Sequence, residues 1–241
     1  MSTSQNEKVL SVMSAYQMVA TLEALENQGV NEEGFKLLRS NKELAKAVAK
    51  LIKTACPNDL KLTWTKIYKN WFGKTVDFTE LIIPAFYNET KHFAVIVAKG
   101  TTMNEVVIAM KKKFNVYLYA EDLNLSVTTN DRIADKDYVI IFNKNIEADE
   151  NLKDLSANKL AKMNISGITL LERLLLEIYY FDQTKKHLDI NNWTLCSGSR
   201  YSGGRAPNVH WSSDFSELGV DWNGVDHHNA YLRSRAVVSS I

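Results

Sequence analysis

The sequence predicts an α+β fold, and three observations point to it. Apolar residues recur at helical spacing through the first seventy-five positions. From about residue 76 short β-rich runs alternate with capped helices. Near the C-terminus a V-x-W triplet, Val209-His210-Trp211, recurs as Val220-Asp221-Trp222, and both copies alternate like strands.

Taken in order, residues 6–28 carry Val9, Val12, Tyr16, Val19 and Leu22 on one helical face, with Gly29 as a stop. Ser40 and Glu43 form a capping-box pattern before a second helix with Leu44, Val48, Leu51 and Ile52. Cys56-Pro57-Asn58-Asp59 ends it. A third helix is expected over 62–72, with Trp64, Ile67, Tyr68 and Trp71. Residues 1–75 thus read as a helical accessory region and 76–241 as a second domain. Lys42, Lys46, Lys50 and Lys53 read as a solvated face, because no aromatic interleaving accompanies them.

In the second domain, 93–98, 116–120 and 138–142 read as strands. Thr102 and Glu105 cap a helix running to Phe114. Lys111, Lys112 and Lys113 suit the dipole at its end. Residues 143–165 are polar, with room for one helical turn. Thr169 and Glu172 cap the clearest helix, TLLERLLLEIYYFDQTKKHL, with Lys185, Lys186 and His187 in its last turn. A strand over 193–197 follows, then the two V-x-W strands as an antiparallel hairpin turning at 212–216, then a strand over 232–238.

Alternation gives the hairpin two faces. Val209, Trp211, Leu218, Val220 and Trp222 are expected inside, and Asn208, His210, Ser212, Gly219, Asp221 and Asn223 outside. The surroundings break from the rest of the chain. Lysine is absent after Lys186, and methionine and glutamine are missing from 192–241. Glu217 is the only glutamate there, while three of the five histidines, His210, His227 and His228, fall in it. Tyr, Ser, Gly, Asn and Asp crowd the outward positions and the 224–231 loop. Antibody-like paratopes favour these residues, because Tyr gives contact area at low entropy cost.

Composition is that of an ordinary globular chain, at 45% hydrophobic and 24% charged over 241 residues. A net charge of +1 argues against nucleic acid or an anionic membrane surface as partner. No apolar run is long enough for a membrane helix. MSTSQNEKVL lacks the basic-then-apolar order of a signal peptide, so the cytoplasm is the default compartment. Cys56 and Cys196 form no disulfide framework or zinc pattern. Asp226-His227-His228 could ligate a metal, but adjacent histidines usually point apart, and an exposed loop is the expectation. No nucleophile elbow or phosphate loop is present. Arg200, Arg205, Arg233 and Arg235 could clamp an anion or build a structural network. Neither a catalytic group nor a cofactor is expected.

The text TLLERLLLEIYYFDQTKKHLDINNWTLCSGSRYSGG, the two V-x-W triplets and LRSRAVVS resemble the C-terminal region of variable proteins diversified by retroelements. In that family a reverse transcriptase copies a template RNA and misincorporates at adenines. The resulting codons end in C or T and cannot encode Lys, Gln, Glu, Met or Trp. Between Tyr201 and Tyr231 only Trp211, Trp222 and Glu217 fall outside the permitted set. The resemblance implies a C-type-lectin-like fold related to formylglycine-generating enzymes, with a variable region over about 199–231. It implies a non-catalytic protein that binds a protein or glycan through a hypervariable face. The implied variable positions are Tyr201, Gly203, Asn208, His210, Ser212, Ser213, Asp214, Phe215, Gly219, Asp221, Asn223, Asp226, His227, His228, Asn229 and Tyr231. Tyr201, Phe215 and Tyr231 are the expected anchors. Trp193, Val209, Trp211, Val220, Trp222, Arg233 and Arg235 are the implied scaffold. The paired catalytic cysteines of the related enzymes are missing, and Trp222-Asn223-Gly224 lacks the acidic residue of calcium-dependent sugar binding. The alternatives are an enzyme, formylglycine-generating or metal-dependent through His227 and His228, and a structural or oligomerisation module.

Overall fold

The computed structural model describes residues 15–55 and 60–238, with side chains described over 19–48 and 60–238. The chain divides into two compact units between Pro57 and Asn58. Val9, Val12 and the Cys56–Asp59 stop lie outside the described residues, as do the side chains of Leu51 and Ile52.

The first unit holds α1 (Ala15–Glu26), α2 (Glu32–Ser40) and α3 (Lys42–Ala55). The sequence reading missed α2. Asn31 starts it by accepting from the Gly34 amide at 3.0 Å. The cap of α3 is Asn41 rather than Ser40. Its side-chain oxygen takes the Glu43 and Leu44 amides at 3.0 Å each. Ser40 instead donates to the Lys36 carbonyl at the end of α2.

The second unit opens with α4 (Leu60–Ile67), which continues as a π-helical turn over Tyr68–Phe72 and stops at Gly73, φ 68°. These helical turns, expected in the accessory region, are core of the second unit. Trp64 and Tyr68 are fully buried and donate to the carbonyls of Ala94 and Ile96 at 3.0 and 3.2 Å. Their target is β1 (His92–Val97), paired antiparallel with β4 (Tyr138–Asn143). Between them in sequence lie α5 (Met103–Lys111), β2 (Asn115–Leu118), α6 (Leu123–Ser126) and β3 (Val127–Asn130). The expected capping box of Thr102 and Glu105 is present on α5.

The segment after β4 makes a 3-10 turn at Glu150–Leu152 and α7 (Ala157–Lys162). Next comes α8 (Leu170–Thr184), whose capping box joins Thr169 and Glu172 and whose apolar side fills the core. It ends at Thr184, earlier than expected. Lys185 turns left-handed, φ 59°, so Lys185, Lys186 and His187 lie beyond the last turn. His187 leaves the helical path because its Nδ1 reaches Glu177 at 2.9 Å and its ring stacks on Trp211 at 3.3 Å.

The remaining strands are β5 (Trp193–Leu195), β6 (Ser199–Tyr201), β7 (Ala206–Ser212), β8 (Glu217–Asn223) and β9 (Leu232–Arg233). A five-stranded sheet runs β2-β8-β7-β5-β9, while β3 and β6 pair apart from it. β7 and β8 form the expected antiparallel hairpin, in a register that sets Val209 opposite Val220 and His210 opposite Gly219. The expected last strand is shorter: β9 runs parallel to β5. The chain then leaves the sheet, and Ala236 and Val237 bridge to Gly167 and Phe142. Among the described residues no helix is long and apolar enough to cross a membrane.

The back of the sheet joins the main core through Val209, Leu218 and Val220. A smaller cluster of Leu152, Ala157, Leu160, Leu195, Ala206 and Leu232 covers one end of its front. Under the sheet lies a buried ion network. Asp189 receives Arg173 Nε at 2.9 Å and Arg235 Nη2 at 2.6 Å, together with the Thr194 hydroxyl. Arg173 also donates to Glu177 at 2.8 Å. Two guanidinium groups thus face two carboxylates in the interior, and their charges cancel. Arg235 also donates to the carbonyls of Asn145 and Ile146, tying the post-β4 segment to the sheet.

Candidate functional site

The front of the five-stranded sheet is covered at one end and open at the other. Residues that pair across strands share a face. Tyr117 on β2 pairs with Gly219, and Gly219 pairs with His210. The His210 ring stacks on Trp193 at 4.5 Å, and Trp193 meets Tyr231 edge-on at 4.8 Å. A row of rings thus crosses the sheet from β2 to the start of β9. Tyr117 is 50% exposed and Tyr231 44%, while Trp193 and His210 are half-buried. Beside this row stand Ser212 and Glu217, paired in register, and on its other side Asp221. The hairpin turn carries Ser213 and Asp214, both exposed, and Phe215, 74% exposed.

Gly219 makes the row possible. A Cβ there would come within 2.9 Å of the His210 ring, so a side chain at 219 would displace the imidazole. Burial pushes the His210 imidazole below its usual range. Asp221 and Asp189 oppose that shift, and Arg173 reinforces it.

The expected outward set divides. His210, Ser212 and Asp221 are half-buried, and Gly203, Ser213, Asp214, Phe215 and Tyr231 are exposed. Tyr201, Asn208, Gly219 and Asn223 are buried, which corrects their expected exposure. Asn208 and Asn223 face the front as alternation requires, but Asn208 lies beside Leu195 of the smaller cluster. Their side chains bond each other, Asn208 Nδ2 to Asn223 Oδ1 at 2.8 Å. Tyr201 belongs to the main core, so it is no surface anchor. Its ring meets Tyr119 at 6.2 Å.

The 224–231 loop exposes Asp226, His227 and His228, with Asn229 half-buried. The two histidines have separate partners. His228 Nδ1 lies 2.8 Å from Asp154, and His227 Nε2 lies 3.0 Å from Asn229. Asp226 accepts from Asn158 at 2.7 Å. Among the described residues no group of three His, Cys, Asp or Glu could hold a metal ion. The loop therefore docks on α7 and its approach, a contact the polar 143–165 stretch gave no sign of.

The scaffold set also divides. Val209 and Val220 are fully buried. Trp211 and Trp222 are half-buried, short of the full burial expected. Trp211 is held by His187 and, edge-on, by Phe114 at 6.0 Å. Trp222 lies under the Arg205 guanidinium at 3.6 Å. The four arginines do not converge on an anion. Arg205 covers Trp222, Arg200 donates to the carbonyls of Ser197 and Ser199, Arg233 pairs with Glu150, and Arg235 serves the buried network. Cys196 is buried, and burial pushes its thiol up, away from reactivity.

Two members of the face were missed. Tyr117 was readable, because Asn115-Val116-Tyr117-Leu118 alternates and its apolar members point to the core. Glu217 falls outside the permitted codon set and is no implied variable position, yet it is half-buried on the open face. No protein-family model, curated protein or solved structure matches this chain.

Proposed function

We propose that this is a non-catalytic ligand-binding protein. On this reading its C-terminal C-type-lectin-like sheet displays a surface diversified by adenine-directed retroelement mutagenesis. One observation carries the reading: apart from β2, the open half of the sheet front falls within the stretch that lacks Lys, Gln and Met. His210, Ser212, Ser213, Asp214, Phe215 and Asp221 lie there, on a hairpin whose back is core. A rigid sheet with adaptable outward residues suits direct contact with a protein or glycan. The buried ion network and the Val209–Val220 pair hold the platform while surface residues change.

Burial narrows the variable set. Tyr201, Asn208 and Asn223 are assigned to the constant platform, and the exposed positions to the diversified surface. Libraries with codons ending in C or T test this. One library randomises His210, Ser212, Ser213, Asp214, Phe215 and Asp221; the other randomises Tyr201, Asn208 and Asn223. The first is expected to yield mostly soluble, folded protein and the second mostly unfolded protein. Equal losses in both would overturn the reading.

A further inference from the structure

The open front has a one-sided chemistry. The five strands of its sheet contain no lysine and a single arginine, Arg233. Arg233 pairs with Thr194, whose side chain points to the buried network, and it is bound to Glu150. Arg200, Arg205 and Arg235 are likewise committed elsewhere. Among the described residues, the strands of this front therefore offer acceptors and no uncommitted cation. Glu217 makes no side-chain hydrogen bond or ion pair among the described residues, and Asp221 uses one oxygen on the Trp222 amide at 2.8 Å. Fully buried Asn208, opposite Asp221 in register, has an amide oxygen with no donor partner. Glu217 and Asp221 flank Gly219 on one strand, so their backbones stand about 13 Å apart. Between them runs the ring row of Tyr117, His210 and Trp193.

Exposed rings beside carboxylates that keep free oxygens suit cations. Trp193 and His210 stack on each other, so the rings open to a ligand are the exposed ones, Tyr117 and Tyr231, and a guanidinium can stack on one of these while its edge donates to a carboxylate. A neutral or acidic glycan would supply no such charge. We propose that the front face of this chain takes a basic segment of a protein partner, with Arg or Lys side chains near Glu217 and near Asp221 and an arginine plane on an exposed ring of the row, Tyr117 or Tyr231. The proposal rests on the binding reading above and names the partner chemistry for this copy of the surface. Because His210 is neutral near pH 7, it adds no opposing charge there.

The test is panning of random displayed peptides on the full chain at moderate and raised salt. Peptides enriched in Arg and Lys are expected, with binding that weakens as salt rises. Glu217→Gln with Asp221→Asn should weaken them about tenfold, as expected for two partly exposed ion pairs. Ser212→Lys, which keeps both carboxylates, should weaken them too. Unchanged thermal melts would show that both variants fold. Neutral or acidic peptides that lose binding on Trp193→Ala or Tyr231→Ala would overturn the charge assignment and leave the binding face standing. Recovery of no peptides, or only of peptides indifferent to every one of these substitutions, would overturn both.

Discussion

Asp189→Asn is the sharpest test of how the platform is held. Asp189 is fully buried and sits between two guanidinium groups, Arg173 at 2.8 Å and Arg235 at 2.6 Å. Its backbone carbonyl also accepts from Trp211 at 3.0 Å, so it joins α8, β5, β7 and the C-terminal segment. The substitution keeps the shape and removes one charge. Arg173 retains Glu177 at 2.8 Å, but Arg235 keeps only neutral acceptors, leaving a net positive charge in the interior. Removing one partner of a buried pair costs about 3–5 kcal/mol. The two-cation geometry places Asp189→Asn at the upper end of that range. Urea unfolding followed by tryptophan fluorescence measures it as a shift in midpoint at constant slope. A loss below about 1 kcal/mol would refute the claim that Asp189 neutralises both arginines.

Other expectations follow from the same geometry. Tyr201→Phe should be neutral or stabilise by up to about 1 kcal/mol, because the buried hydroxyl has no partner; a clear loss in thermal melts would reveal an unrecognised bond. Trp211→Ala should cost about 2–4 kcal/mol, less than a fully buried Trp, whereas Phe215→Ser should stay within about 0.5 kcal/mol; equal losses in urea titrations would contradict the assigned faces. His210 has a folded-state pKa depressed mainly by burial, so the unfolded chain binds its proton first. Its stability contribution is full above the unfolded value and is lost as pH falls through the folded one. His210→Gln should therefore flatten the acid arm of a stability-versus-pH curve below about pH 6.5, and an unchanged arm would show that His210 is not the sensor.

Sequence legibility followed the reach of each signal. Local signals read well: the capping boxes at Thr102 and Thr169 and the alternating hairpin are encoded within a few residues. Asn41 competing with Ser40 shows the limit of the local code, because either side chain could reach the first amides. Long-range effects were not readable. Beyond the left-handed turn at Lys185, His187 contacts Glu177 and Trp211, and no local spacing pairs it with Trp211. The burial of Asn208 and Asn223 follows from their mutual bond and from the smaller cluster covering that end of the sheet. Alternation chose their face correctly but could not say that another layer covers it. The pairing of Arg173, Asp189 and Arg235 likewise joins residues far apart in sequence, which no spacing rule connects.

Whether the open half of the sheet front is a diversified binding surface, as proposed, is decided by sequencing the DNA that flanks this gene. A reverse transcriptase gene and an imperfect copy of codons 199–231, with mismatches at template adenines, are expected there. Those mismatches should fall on exposed or half-exposed positions such as His210, Ser212, Asp214, Phe215 and Asp221, and spare Tyr201, Asn208 and Asn223. A flank with neither feature, or a copy whose mismatches cluster on the buried positions, would contradict it.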